Sequence, residues 1–184
     1  MHRAGLSRVP AIRARASCQS TRDRITDHVL PKPFQLLATA STPDGAELTL
    51  HAHDTHFYLR ANRQPLMGTN ASESEKVLAQ LACARSHAPA KARVLIGGLG
   101  FGFTLRQVLE IVGAEASVHV AELLPQVVAW NREYLGAVNG QLLDDKRVEV
   151  FVEDVFQVIS RAPAGHYDAI LLDVDGVLID SLRV

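Results

Sequence analysis

Three glycines and three acids carry the chemistry legible in this chain. Gly98, Gly100 and Gly102 give a G-x-G-x-G spacing within Gly97-Gly98-Leu99-Gly100-Phe101-Gly102, and Glu122, Asp154 and Asp173 follow at intervals. A glycine-rich turn ahead of a helix lets a ligand approach backbone N–H groups at the helix N-terminus. An acid about twenty positions further on is placed to accept hydrogen bonds from ribose hydroxyls, and Glu122 stands there. The third glycine of a dinucleotide fingerprint would fall on Phe103, so the spacing points to a nucleoside instead.

Those residues need strands and helices to hold them. Val94-Leu95-Ile96 reads as a buried strand ended by the glycines, and Leu105, Val108, Leu109 and Val112 recur with helical spacing directly after. Residues 118–122 form the next expected strand, closed by Glu122. Pro125 suits the first turn of another helix, with Val127, Trp130 and Tyr134 on one side and Val128 and Leu135 beside them. Trp130 reads as core. Residues 136–146 read as a loop and 148–152 as a third strand, followed by Asp154 at the head of a short helix carrying Val155, Val158 and Ile159. Residues 167–173 make a fourth strand that ends in Asp173. This alternation predicts a parallel sheet with ligands at the carboxyl ends of its strands, where all three acids sit.

Upstream, Ser72 and Glu75 have capping-box spacing and open a helix whose expected apolar face is Val77, Leu78, Leu81 and Ala82, stopped by Pro89. Residues 34–67 read as short strands with a turn at Thr42-Pro43-Asp44-Gly45, which predicts a small antiparallel sheet. His51-Ala52-His53-Asp54-Thr55-His56 lies one transposition from a zinc motif, but polar residues at a hairpin tip explain it more simply. The first two dozen residues hold Arg3, Arg8, Arg13, Arg15 and Arg22 with no acid before Asp23; the composition fits a transit peptide but reads more simply as a disordered leader or upstream sequence included by a wrongly chosen start. The expected organisation is a leader over 1–33, a β region over 34–70 and an α/β domain over 71–184.

A net charge of −1 gives no electrostatic footprint for nucleic acid or for an anionic membrane. No apolar run is long enough to span a bilayer. Cys18 and Cys83 have neither metal-ligand spacing nor a disulfide framework, and Cys83 reads as a small core residue. No metal is expected, the expected address is cytoplasmic, and a homodimer is compatible with the residues.

The glycine spacing followed by a strand-end acid is similar to the first motif of class I S-adenosylmethionine-dependent transferases. A longer ordered set resembles the spermidine synthase family. It comprises residues 94–106, Ala121-Glu122-Leu123-Leu124-Pro125, residues 143–150, Glu153-Asp154-Val155 and residues 167–173. The resemblance implies a Rossmann-like, doubly wound α/β fold of the class I methyltransferase type, incomplete at the C-terminus, after a small antiparallel β region. It implies transfer of an aminopropyl group from decarboxylated S-adenosylmethionine to an amine, in polyamine biosynthesis. Gly98, Gly100 and Gly102 would then form the nucleoside-thioether loop. Glu122 would hold the ribose, Asp154 the adenine amino group, and Asp173 would orient and deprotonate the amine. The implied partners are the nucleoside co-substrate and an amine acceptor.

The chain departs from that family in three places. Phe101 stands where the family's glycine loop has an aspartate, Ser74-Glu75-Lys76 where it has Tyr-His-Glu, and Gly176 where it has the second acid of its D-S-S-D run. Methyl transfer from S-adenosylmethionine, or nucleoside binding without catalysis, therefore stand as alternatives. Residues 171–181 also resemble the first motif of haloacid-dehalogenase-type phosphatases, with Asp173 as nucleophile and Asp175 as acid/base. That motif normally opens its domain, and its later motifs have no counterpart here. The expectation is a C-terminally truncated transferase.

Overall fold

Turn chemistry sets the first sheet. A computed structural model describes residues 32–42, 44–70, 72–85 and 91–173. The Arg-rich leader, Cys18, Pro31, Pro43, Pro89, Asp175 and Gly176 lie outside the described residues. β1 (Gln35–Ser41), β2 (Glu47–His53), β3 (His56–Ala61) and β4 (Gln64–Gly68) pair antiparallel in chain order. Asn62 and Arg63 both have positive φ, 48° and 67°, as a two-residue turn between twisted strands requires. The Asn62 side chain also accepts the Glu47 N–H at 2.9 Å. Period-two alternation buries Leu48 and Leu50, which face Ala61 and Leu59 across the β2–β3 ladder. Each of the three histidines has a local neighbour. His53 stacks on Phe34 at 4.5 Å, His51 Nε2 lies 3.0 Å from the Thr49 hydroxyl and His56 Nδ1 lies 3.4 Å from that of Thr69.

The second sheet holds four parallel strands: β5 (Arg93–Gly97), β6 (Ser117–Ala121), β7 (Val148–Phe151) and β8 (Ala169–Leu172), in the order β7-β6-β5-β8. The helices are α1 (Glu73–Arg85), α2 (Phe103–Ile111), α3 (Pro125–Glu133), α4 (Gly136–Asn139) and α5 (Val155–Arg161). The chain steps from β5 through β6 to β7, then returns past β5 to β8. Strand order therefore reverses beside β5, which opens a crevice at its carboxyl end. Val94, Ile96, Val118, Val120 and Leu171 form the core with Leu105, Val108, Leu109 and Trp130. On the other side, Leu95 and Ala121 meet Val155 and Val158 of α5. Leu105 is 1% exposed, so truncating it to alanine is of the kind that costs about 3 kcal/mol. Among the described residues, no helix is long and apolar enough to cross a membrane.

Two expectations need correction. The apolar face assigned to α1 is partly wrong, because Val77 and Leu81 are 49% and 65% exposed while Ala79 and Cys83 face inward. Small side chains let α1 lie close against the body, and helical spacing alone does not say which of two neighbouring apolar stripes docks. Residues 136–146 are also more ordered than a loop, holding α4 and a 3-10 turn over Leu142–Asp144. The α1 start, the α2 stripe and the core positions of Trp130 and Cys83 are as expected.

Arg147 ties the far end of α2 to β7. Its Nη1 donates to the carbonyls of Leu109 and Val112 at 3.0 and 3.2 Å, satisfying helix-end acceptors. Its Nε and Nη2 grip Asp145 at 3.0 and 2.7 Å. The guanidinium bonds hold the Asp145 carboxyl at about 2, below its usual 3.8. A depressed acid contributes stability above its unfolded value that is lost as pH falls, here between about 3.8 and about 2. Arg147→Ala is expected to lower stability by about 2 kcal/mol, checked by urea unfolding at neutral pH.

Candidate functional site

The site forms where β5 gives way to α2. Gly97 has no room for a side chain, since a Cβ there would lie 2.8 Å from Val155 Cγ2. Gly98, Gly100 and Gly102 then take positive φ of 94°, 51° and 82°. Gly102 needs this freedom most, because it precedes the helix in the left-handed region and a Cβ would lie 3.0 Å from the Asn139 amide. Met67 of β4 packs over Gly100, so the antiparallel sheet reaches the turn. Gln126 Nε2 of α3 donates to Ser41 O at 3.3 Å, a second contact of the antiparallel sheet with the α/β body.

Glu122 follows β6 at the sheet's carboxyl edge and is 7% exposed. Its Oε2 accepts the Leu99 N–H and its Oε1 the Leu124 N–H, both at 2.9 Å. Burial pushes its pKa above the usual range, while the N–H groups of Leu99, Leu124, Gly100 and Leu123 pull it back. Each carboxylate oxygen keeps a lone pair beyond the backbone bond it accepts. Asp154, past β7, is the N-cap of α5 and accepts the Phe156 N–H at 2.8 Å. Asp173 follows β8 directly, and its own N–H bonds to Gly97 O at 2.8 Å. Its Oδ2 takes a 2.6 Å hydrogen bond from the hydroxyl of Thr104, which is 2% exposed in the first turn of α2. Burial raises the Asp173 pKa, the Thr104 bond lowers it, and the Glu75 carboxylate on the first turn of α1 raises it further.

Along the edge, the order is therefore Asp154, Glu122, the glycine turn and Asp173. Glu122 binds the turn on one side and Asp173 joins β5 and α2 on the other, so these two acids and the three glycines form one unit. Asp154 lies one strand further out. Phe101 points into the core, 5% exposed and edge-on to Phe103 at 6.5 Å. The arrangement offers a nucleoside a glycine turn and a buried carboxylate, with a second carboxylate across the crevice to accept a proton.

Thr104, Asn131 and Asn139 were not singled out from the sequence. Thr104 had a signal, a small hydroxyl on the α2 face shared by Val108. Asn131 had a weaker one, four residues after Val127 on the inward face of α3. Asn131 Nδ2 donates to Gly100 O at 2.8 Å and Val127 O at 2.9 Å, and Asn139 Nδ2 to Phe101 O at 3.0 Å and Asn131 Oδ1 at 2.8 Å.

The chain is similar to proteins of known family. The family model for the spermine/spermidine synthase domain matches residues 74–178, more than half of the chain. A polyamine aminopropyltransferase of Pyrobaculum neutrophilum is 37% identical over 93 residues, 50% of this chain and 32% of that protein. One from Clostridium acetobutylicum is 35% identical over 85 residues, 46% of this chain and 29% of that protein. The solved spermidine synthase of Thermotoga maritima superposes with a TM-score of 0.64 at 19% identity, over 77% of this chain and 47% of that one. That similarity shows the fold. The matches span about a third of the length of the curated relatives. By its matched domain, the chain belongs to the spermine/spermidine synthase family.

Proposed function

We propose that this chain carries the nucleoside half of an aminopropyltransferase site. On this reading an aminopropyl group passes from decarboxylated S-adenosylmethionine to an amine, as polyamine biosynthesis requires. The observation that carries it is the unit of glycine turn, Glu122 and Asp173 at the switch point of the sheet. Gly98, Gly100 and Gly102 let the nucleoside thioether approach the backbone. Glu122 accepts hydrogen bonds from the ribose hydroxyls on its remaining lone pairs, and Asp154 accepts from the adenine amino group. Asp173, held by Thr104, orients the acceptor amine and takes its proton. The amine nitrogen forms a bond to the carbon beside the sulfonium, the carbon–sulfur bond breaks, and its electron pair stays on sulfur as methylthioadenosine leaves. The sulfonium already activates the carbon, so alignment and a base are what the protein adds. The same crevice suits small-molecule substrates.

One observation favours a second reading. With Phe101 buried in the core, no acid stands at that point of the loop to receive the ammonium of an aminopropyl chain, which favours methyl transfer from S-adenosylmethionine. Product analysis by mass spectrometry with a diamine acceptor separates the two. Methylthioadenosine formed together with an aminopropylated amine supports the first reading. S-adenosylhomocysteine with a methylated acceptor moves the assignment to the second, and neither product leaves a nucleoside-binding homologue without catalysis.

A further inference from the structure

The glycine turn is held partly by backbone hydrogen bonds and partly by side chains on both sides. Glu122 takes the Leu99 N–H, as described, and Gly98 N and Gly102 N bond to Ala121 O and Leu99 O at 2.8 Å each. The carbonyls of Gly100 and Phe101 are met by two asparagines, 4% and 3% exposed. Orientation of this amide pair is forced. Asn131 faces two carbonyl oxygens, which only accept, so its NH2 must point at them and its Oδ1 must receive Asn139. Asn139 in turn spends one N–H on Phe101 O and one on Asn131.

Packing accompanies these bonds, with Met67 over Gly100 and Leu142 beside Gly102. A cavity of about 120 Å³, lined in part by Asn131, Asn139, Leu142 and Leu143, opens beside the pair. Once the amides let go, the Asn131 and Asn139 side chains, which line it, have space to shift. Gly100 and Gly102, with no side chains of their own, add little resistance to such a change.

We infer that Asn131 and Asn139 are positioning residues that preset the glycine turn in its ligand-ready shape. The inference rests on the reading that the turn binds a nucleoside, and it assigns the turn's shape to α3 and α4. A turn fixed before binding spares the ligand the cost of ordering it.

The test uses the 184-residue chain with Asn139→Asp and Asn131→Asp, which keep size and remove the NH2 donor. Backbone amide exchange is followed at Leu99 and Gly102, with Val94 and Val120 in the sheet as references. The inference expects Leu99 and Gly102 to exchange at least tenfold faster while the references hold. It also expects methylthioadenosine to bind about tenfold more weakly at pH 8, equivalent to ~1.4 kcal/mol. Turn exchange that is unchanged, or accelerated only in step with the sheet, overturns the inference. Failure of the unsubstituted chain to bind methylthioadenosine falls on the nucleoside reading instead, and the exchange rates alone then decide whether the amides hold the turn.

Discussion

Replacing Glu122 with alanine is expected to abolish measurable methylthioadenosine binding and to destabilise the fold together. Leu99 and Leu124 would each keep a buried N–H with no acceptor, at about 1–3 kcal/mol apiece. Loss of a desolvated carboxylate returns part of that, so a net cost of about 2 kcal/mol is expected in urea unfolding. Affinity should fall at least about a hundredfold, since the proposed ribose acceptor and the N–H partner of the turn go together. Glu122→Gln should lie between, because its carbonyl satisfies one donor while its NH2 faces the other. The folded pKa of Glu122 is raised, so its contribution to stability is fully present below the unfolded value of 4.5 and is lost as pH rises through the folded one. A titration of stability against pH should therefore be flatter above 4.5 in Glu122→Gln than in the parent chain.

Asp173→Asn should separate stability from activity. Without a base at this position, transfer is expected to fall by about 10²–10⁴. The fold should gain, for a physical reason with a definite sign. Burial and the Glu75 carboxylate disfavour the charged form, so the folded pKa lies above 3.8 and ionisation weakens the fold as pH rises through it. Asparagine carries no such charge, and its Oδ1 still accepts the Thr104 hydroxyl. Melting temperatures should be higher in the variant at neutral pH, with the gap closing as pH falls toward 3.8. A variant that melts lower at pH 7.5, or one that retains parental turnover, would remove Asp173 from its assigned role.

Much of the site is legible before any coordinates because its parts obey local rules. Gly98, Gly100 and Gly102 stand where only a left-handed backbone closes the turn, and Glu122 and Asp173 end strands whose branched apolar runs mark them plainly. A small antiparallel sheet is announced by alternation at residues 47–51, while its four strands are set by the structure. What stayed hidden depends on tertiary neighbours. Val77 and Leu81 look as apolar as Leu78 and Ala82, and only the close approach of α1 to α2 decides which stripe is covered. Asn139 sits in a segment without periodicity, so nothing in its surroundings signals that its amide holds Phe101 O. Arg147 reads as one more surface cation until the end of α2 is placed against it. Phe101 is a departure from its family by sequence, and its burial shows where the side chain goes instead.

The most direct measurement is calorimetric titration of the chain and of Glu122→Ala with methylthioadenosine, decarboxylated S-adenosylmethionine and S-adenosylmethionine. The account predicts saturable binding of the first two by the parent chain, weaker binding of S-adenosylmethionine, and loss of all three in the variant. Binding that survives in Glu122→Ala, or no heat with any of the three in the folded parent chain, would contradict a nucleoside site at the glycine turn.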